Sequence, residues 1–206
     1  MQTSLIRPAL ILFAIMTLLT GIIYPLLVTG IARLIFPYQA AGSLLLREGQ
    51  PIGSRLIGQS FSDPKYFWGR PSATTPQPYN GAASGGSNLG PLNPALVAAA
   101  RARVTALREA DPDNTALVPV DLATASGSGL DPHISVAAAQ YQASRIARVR
   151  GVPLAAVRTL IAAHTQGRFL GIVGEPRINV LELNLALDEL RAGHSQAPPP
   201  QAANLQ

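Results

Sequence analysis

Hydrophobic patterning divides the chain near its start. Residues 8–32, PALILFAIMTLLTGIIYPLLVTGIA, run without a charge between Arg7 and Arg33. As a helix this run is roughly 37 Å long, more than a hydrocarbon core of about 30 Å requires. A cleaved secretory signal has an apolar core of only about 7–15 residues. The run therefore reads as a retained transmembrane anchor, set at residues 8–36 after a short tail of residues 1–7. Pro25 removes a backbone donor and predicts a local kink. The Gly and Thr residues around it predict packing against partner helices, since small residues allow close approach in lipid. Arg7 on one flank is opposed by Arg33 and Arg47 on the other, so the charges do not fix the orientation.

Past the anchor the pattern becomes mixed, and residues 37–192 are long enough for one core of their own. SRLIGQSFSDPKYFWGRPSA, residues 54–73, holds β-prone runs at 55–57 and 66–68 between turn residues, which predicts short strands or extended segments. Residues 74–94, TTPQPYNGAASGGSNLGPLNP, are too rich in Gly, Pro, Ser and Asn for regular structure and read as a long loop. Asn93 as N-cap and Pro94 as first helical residue open a helix that ends before Asp111, with Leu96, Ala100, Val104 and Leu107 on one face. Val118, Val120 and Leu122 alternate like a strand, which Pro119 confines to an edge.

Three more helices follow. The first is expected from Asp131 and Pro132 to near Gly151. The second carries Leu154, Val157, Leu160, Ile161 and His164 on one face and closes at Gly167. After an extended stretch, the third is capped by Asn179. Residues 193–206 have almost nothing to bury and read as a disordered Pro-rich tail. The fold class is thus α+β: one N-terminal transmembrane helix, then a mixed α/β soluble domain with short strands and about four helices.

Composition narrows the options. The 206 residues are 48% hydrophobic and 13% charged, too apolar for an ordinary water-soluble chain and in keeping with an anchor. The absence of cysteine excludes a disulfide-stapled small domain. A net charge of +5 raises nucleic acid as a partner, but the arginines are scattered singly among acidic neighbours with few aromatics, which argues against that class.

Candidate chemistry centres on TASGSGLDPHIS, residues 124–135. Ser126, Ser128, Asp131 and His133 supply the residue types of a membrane-anchored serine hydrolase. Such close neighbours seldom put nucleophile and base face to face, and the stretch lacks the G-x-S-x-G elbow. A strand exit, a glycine bend and an Asp-capped helix account for the same letters, and no catalytic residue is assigned. TASGSGLDP and SGGSNLGPLNP both run toward helix N-termini, as phosphate loops do, yet neither has a Walker lysine, and Asp131 and Asn93 are placed to take the free donors. His133, His164 and His194 lie on separate elements without ligand spacing, so no metal site is expected. Asp121, Asp131 and Glu175 read as caps or arginine partners.

Three segments carry a family resemblance. GRPSATTPQPYNGAASGGSNLGP (69–91), DLATASGSGLDPHIS (121–135) and GEPRINVLELNLALDEL (174–190) follow one span in order. Together they resemble the C subunit of the Kdp-type, high-affinity potassium-transporting P-type ATPases of bacteria. The resemblance implies a non-catalytic accessory subunit beside a channel-like potassium-binding A subunit, an ATP-hydrolysing B subunit and a small single-span F subunit. It implies the bacterial inner membrane, a cytoplasmic N-terminus and a periplasmic soluble domain. It also implies a catalytic chaperone that raises the ATP affinity of the ATPase subunit, with Ser126, Gly127, Ser128, Gly129 and Gln142 compared to an ABC signature. No cofactor is expected to bind firmly, and ATP enters through the ATPase subunit. A domain outside the inner membrane does not meet cytoplasmic ATP, and of these two implications the topology rests on the firmer ground of helix length. Ser84, Gly85, Gly86, Ser87 and Asn88, in the long loop, are the candidates for an interaction surface. Another periplasmic binding module is the remaining alternative.

Overall fold

The computed structural model describes residues 5–191. The expected tail of residues 193–206, with His194, lies outside them. The described chain forms two compact units that divide between Ile52 and Gly53.

In the first unit, helix α1 (Ile6–Leu18), a π-helical turn (Leu19–Ile23) and helix α2 (Tyr24–Ile35) run on without a break. The result is a single apolar helix of 30 residues, long and apolar enough to cross a membrane. The kink expected at Pro25 takes a specific form. Proline lacks an N–H and crowds the carbonyl four residues back, and the widened π turn just before Pro25 absorbs both effects. Thr20 Oγ1 donates to the Met16 carbonyl at 2.7 Å, which keeps its hydroxyl satisfied within the helix. A helical turn, α3 (Pro37–Ala40), leads to strands β1 (Leu44–Arg47) and β2 (Gln50–Ser54), paired in a hairpin. Its turn residues Glu48 and Gly49 have φ of 52° and 76°, the sign pattern that a tight two-residue hairpin turn demands.

The second unit is built on helices. α4 (Pro94–Ala110) begins where expected, with Asn93 Oδ1 accepting from the Ala95 N–H at 2.9 Å. Of its expected apolar face only Leu107 is buried, and Leu96, Ala100 and Val104 remain half-exposed. The strand expected at 118–122 is instead a single helical turn, α5 (Val120–Ala123). Pro119 precedes it as N-cap at φ −58°, Leu122 is fully buried, and the Asp121 carboxylate reaches forward to Ser135.

The expected helix start at Asp131 is also displaced. Residues His133–Ser135 form strand β3, and helix α6 (Val136–Arg150) is capped by Ser135, whose Oγ accepts from Ala138 N at 3.0 Å. Gly151, left-handed at φ 67°, ends α6 as expected. α7 (Leu154–Ala163) buries Val157 and Ile161 completely and gives way to strand β4 (Thr165–Gln166) before Gly167. Strand β5 (Arg177–Asn179) leads into α8 (Val180–Arg191), where Asn179 Oδ1 accepts from Glu182 N at 3.1 Å as the expected cap. The three short strands form an antiparallel sheet in the order β3-β5-β4, with Ile134 opposite Ile178. Both isoleucines are buried and join Ile146, Leu183 and Leu187 in the core.

The run 66–68 is not a strand: Tyr66 closes a turn on the Asp63 carbonyl, and Phe67 and Trp68 have no strand partner. Side-chain amides take the partner's place. Asn184 Oδ1 accepts from Phe67 N at 2.8 Å while its Nδ2 donates to Phe67 O at 3.0 Å. Gln142 Oε1 accepts from Trp68 N at 2.8 Å while its Nε2 donates to Trp68 O at 3.1 Å. Two buried amides thus satisfy four backbone groups that would otherwise be stranded in the core. Arg145 completes the clamp. Its guanidinium donates to the Pro64 and Tyr66 carbonyls and to Gln142 Oε1, and lies 4.8 Å from the Trp68 ring. Burial pulls this group down to about 10.

Candidate functional site

The three resemblance segments converge on Arg70. Gly69 ends the clamped run, so Arg70 emerges beside the core with its backbone already fixed. Arg70 Nη1 donates to Asp131 Oδ2 at 3.2 Å, and Nη2 donates to the Ala125 carbonyl at 3.2 Å. Asp131 does not cap a helix: its Oδ1 accepts from His133 N at 3.0 Å, an Asx turn that aims the chain into β3. His133 Nδ1 lies 3.3 Å from the same oxygen. Burial alone would raise the Asp131 carboxyl, but hydrogen bonds from His133 and the neighbouring charges of His133 and Arg70 outweigh it and hold the group below its ordinary range. The Nε of Arg70 is buried without an acceptor among the described residues.

Next to this pair the two Gly/Ser loops meet. Gly85 N donates to the Ser128 carbonyl at 2.9 Å, and Ser84 Oγ reaches the same oxygen at 3.1 Å. A side chain at Gly86 would come within 2.8 Å of the Gly127 carbonyl. Gly129, at φ 68°, has no room for a Cβ, which would lie 2.5 Å from Thr74 Cγ2 and 2.7 Å from the Gly85 carbonyl.

Ser72 and Thr74 knit the long loop together. Ser72 Oγ donates to Gly129 O at 2.7 Å and accepts from Tyr79 N at 2.9 Å. Thr74 Oγ1 donates to Gln77 O at 2.8 Å and accepts from Asn80 N at 3.0 Å. Tyr79 OH donates to Arg70 O at 2.5 Å, and burial raises that phenol against the opposing charge of Arg103. The stretch that composition marks as structureless is therefore ordered by hydroxyl side chains, without a helix or strand.

Two shallow depressions flank the Arg70–Asp131 pair. One, of about 430 Å3, is lined by Ser126, Gly127 and Ser128 with Leu56 and Leu130. The other, of about 300 Å3, is lined by Asp121, His133, Ser135, Glu175 and Arg177. The first offers one cation, whose charge Asp131 already meets. Gln142 lines neither depression; it is 1% exposed on α6, with its amide engaged by Trp68, Ala138 and Arg145. Ser84–Gly86 and Ser126–Gly129 are brought together, while Ser87 and Asn88 stay exposed beside them.

The hydrolase constellation does not assemble. No hydrogen bond joins Ser126 or Ser128 to His133 among the described residues; Ser126 is buried, and Ser128 Oγ accepts from Leu130 N at 3.1 Å. The carboxylates have structural partners: Asp121 accepts from Ser135 N at 2.7 Å and from its hydroxyl at 3.2 Å, and Glu175 pairs with Arg168. His164 is half-buried with Nδ1 against the Leu160 carbonyl at 2.9 Å. Sequence reasoning passed over Arg70, Asn184 and Arg145. For Asn184 and Arg145 the one available signal was a polar residue set on an otherwise apolar helix face; Arg70, outside any helix or strand, offered none.

The described residues thus comprise a membrane-length helix and a small α+β unit whose polar cluster holds its own loops together. The comparisons give the family. Residues 6–189 match the family described as KdpC, the c chain of K+-transporting ATPase. The chain is 66% identical over 188 residues to the KdpC subunit of the potassium-transporting ATPase of Polaromonas naphthalenivorans, covering 91% of this chain and 96% of that one. It is 65% identical over 187 residues to the KdpC subunit of Variovorax paradoxus, covering 91% and 97% of the two chains. With the KdpC subunit of Sorangium cellulosum it shares 62% over 186 residues, covering 90% and 98%. The chain belongs to the KdpC family.

Proposed function

We propose that the chain is the membrane-anchored accessory subunit of an ATP-driven, high-affinity potassium uptake complex, and that its folded unit is an assembly module. In this reading the helix Ile6–Ile35 crosses the bacterial inner membrane with its N-terminus in the cytoplasm, and residues 37–192 lie in the periplasm. The partners are the potassium-binding A subunit, the ATP-hydrolysing B subunit and the small F subunit. The observation that carries the assembly role is the cluster around Arg70, in which Asp131 and the Ala125 carbonyl meet the guanidinium and the two Gly/Ser loops bond to each other. Among the described residues no serine of this cluster is hydrogen-bonded to His133, so no activated nucleophile is built. The test is to delete the chain from cells that depend on this transporter. The reading predicts loss of growth at low potassium and loss of a stable complex on purification, both restored by the chain carrying Ser126→Ala and Ser128→Ala. Normal uptake without the chain would refute it.

A nucleotide-dependent chaperone that raises the ATP affinity of the ATPase subunit is the second reading, and the open position of Gly127 and Ser128 beside Arg70 favours it. An ATP photoprobe then labels the full chain near Ser128. Labelling confined to the ATPase subunit would end this reading and leave the assembly role standing.

A further inference from the structure

The long loop holds Asn80 directly before Gly81, and no other asparagine of the chain is followed by glycine. An asparagine side chain is an electrophile for the backbone nitrogen of the next residue, and attack closes a five-membered succinimide. Glycine in the second position leaves that nitrogen unshielded, because it carries no Cβ. The fold adds to this pair. Ala83 N donates to the Asn80 carbonyl at 3.0 Å and closes a turn over residues 80–83. Gly81 is exposed, and its N–H, outside that bond, has no acceptor among the described residues. Within the turn Asn80 Oδ1 accepts from Ala82 N at 3.1 Å. This Asx turn curls the side chain back over the Asn80–Gly81 peptide and brings Cγ toward the Gly81 nitrogen. The same bond ends on the oxygen where charge builds as Cγ becomes tetrahedral, so the Ala82 N–H is an oxyanion donor already in position. The leaving amide nitrogen is held by one bond, Nδ2 to the Thr75 carbonyl at 3.0 Å, and both side-chain bonds are open to water.

We propose that Asn80 is a site of spontaneous covalent modification, in which the loop converts its own asparagine to aspartate and isoaspartate. The deprotonated Gly81 nitrogen attacks Asn80 Cγ and forms a C–N bond. The Cγ–Nδ2 bond breaks, and the nitrogen takes a proton from water and leaves as ammonia. Water then adds to either carbonyl of the succinimide: breaking the new C–N bond gives aspartate, and breaking the original peptide bond gives isoaspartate. Either product costs the loop its hold on residue 80. The Nδ2 donor is lost, and a carboxylate oxygen takes its place against the Thr75 carbonyl, where it has no proton to offer. Isoaspartate in addition routes the chain through Cγ and takes the Asn80 carbonyl out of the turn that Ala83 N closes. Residue 80 is tied to the same stretch that borders Arg70, through Asn80 N on Thr74 Oγ1 at 3.0 Å and through the neighbouring Tyr79 hydroxyl on the Arg70 carbonyl at 2.5 Å. The modification therefore loosens the long loop next to the Arg70 cluster.

The folded full chain is incubated in detergent at pH 7 and at pH 9, and conversion of each asparagine is followed by peptide mass spectrometry. Hydroxylamine, which attacks a succinimide and cuts the chain after residue 80, gives a second readout. The proposal predicts conversion at Asn80 about tenfold or more faster than at Asn88 or Asn114, neither of which precedes a glycine. It also predicts a faster reaction at pH 9, because the attacking nitrogen must lose its proton. Gly81→Ala is a tolerated block: its Cβ would lie 3.4 Å from Ile57 Cδ1, an ordinary contact, and the backbone there is not left-handed. That variant is predicted to slow conversion about tenfold or more with the unfolding midpoint of the full chain unchanged. Asn80→Asp, which reproduces one product, is predicted to lower that midpoint. Conversion at Asn80 no faster than at Asn88 and Asn114, or seen only in urea, overturns the proposal, as does a native rate in Gly81→Ala. A native midpoint in Asn80→Asp overturns the loosening of the loop.

Discussion

The backbone N–H of Gly85 donates to the carbonyl of Ser128 across 43 positions of sequence at 2.9 Å, and this bond joins two loops that composition presents as separate. The loop nominated for partner contact and the loop compared with a nucleotide signature are one structure. A substitution that disturbs this junction is therefore felt in both loops, and loss of transport in such a variant is not evidence of ATP contact unless the fold is shown to be intact.

The closeness of the loops makes their glycines sensitive. Gly129→Ala places a methyl group against Thr74 and the Gly85 carbonyl at a positive φ. Overpacking and left-handed strain together predict a loss of about 2–4 kcal/mol, read by urea unfolding of the full chain. Gly127→Ala, whose Cβ meets nothing within 4 Å, is expected to be close to neutral and serves as the control.

Gln142 offers a sharper separation of roles. Gln142→Leu strands the Trp68 N–H and carbonyl in the core and predicts destabilisation of about 2–5 kcal/mol. Gln142→Glu keeps the acceptor for Trp68 N but loses the donor to the Trp68 and Ala138 carbonyls and adds a buried carboxyl, so it too is predicted to destabilise the fold. A Gln142→Leu chain that unfolds like the native protein yet fails to support the ATPase would show that the glutamine acts on something outside the fold.

Asp131 sets an acid-sensitive element. Its folded carboxyl sits below the ordinary carboxylate range because His133 and Arg70 favour the charged form over the opposing effect of burial. The stability it contributes is complete above about pH 4 and is lost as pH falls through the folded value. Asp131→Asn keeps the side-chain oxygen for the turn and removes the charge. Its stability is predicted to fall less steeply than the native chain's between pH 4 and pH 2, as followed by circular dichroism in urea.

Much of this architecture could be read from periodicity and caps. The anchor, the Asn93 and Asn179 caps, the Gly151 terminus and the buried stripe of α7 all follow from local rules. The strands did not, since elements of two or three residues such as β4 and β5 are too short to show alternation. Asp131–Pro132 carried a true boundary signal, but the aspartate turns the chain into β3 and Ser135 caps α6 three residues later. Val120 and Leu122 alternated like a strand because a single helical turn also buries only one of them. Within the site, the serines, glycines and Asp131 stood out by composition. Their partners did not, because Arg70, Ser72 and Thr74 reach them only through contacts that the fold creates.

In the proposed reading the paired loops belong to a periplasmic assembly surface, out of reach of cytoplasmic ATP. Ser87 is exposed at the edge of this pair, and Ser87→Cys introduces a unique thiol with almost no change of shape. Cells expressing the complete transporter with this variant are treated with a membrane-impermeant maleimide before and after permeabilisation of the inner membrane. A periplasmic position of the loops predicts full labelling while the inner membrane is intact. Labelling that requires permeabilisation would place the loops in the cytoplasm and contradict it.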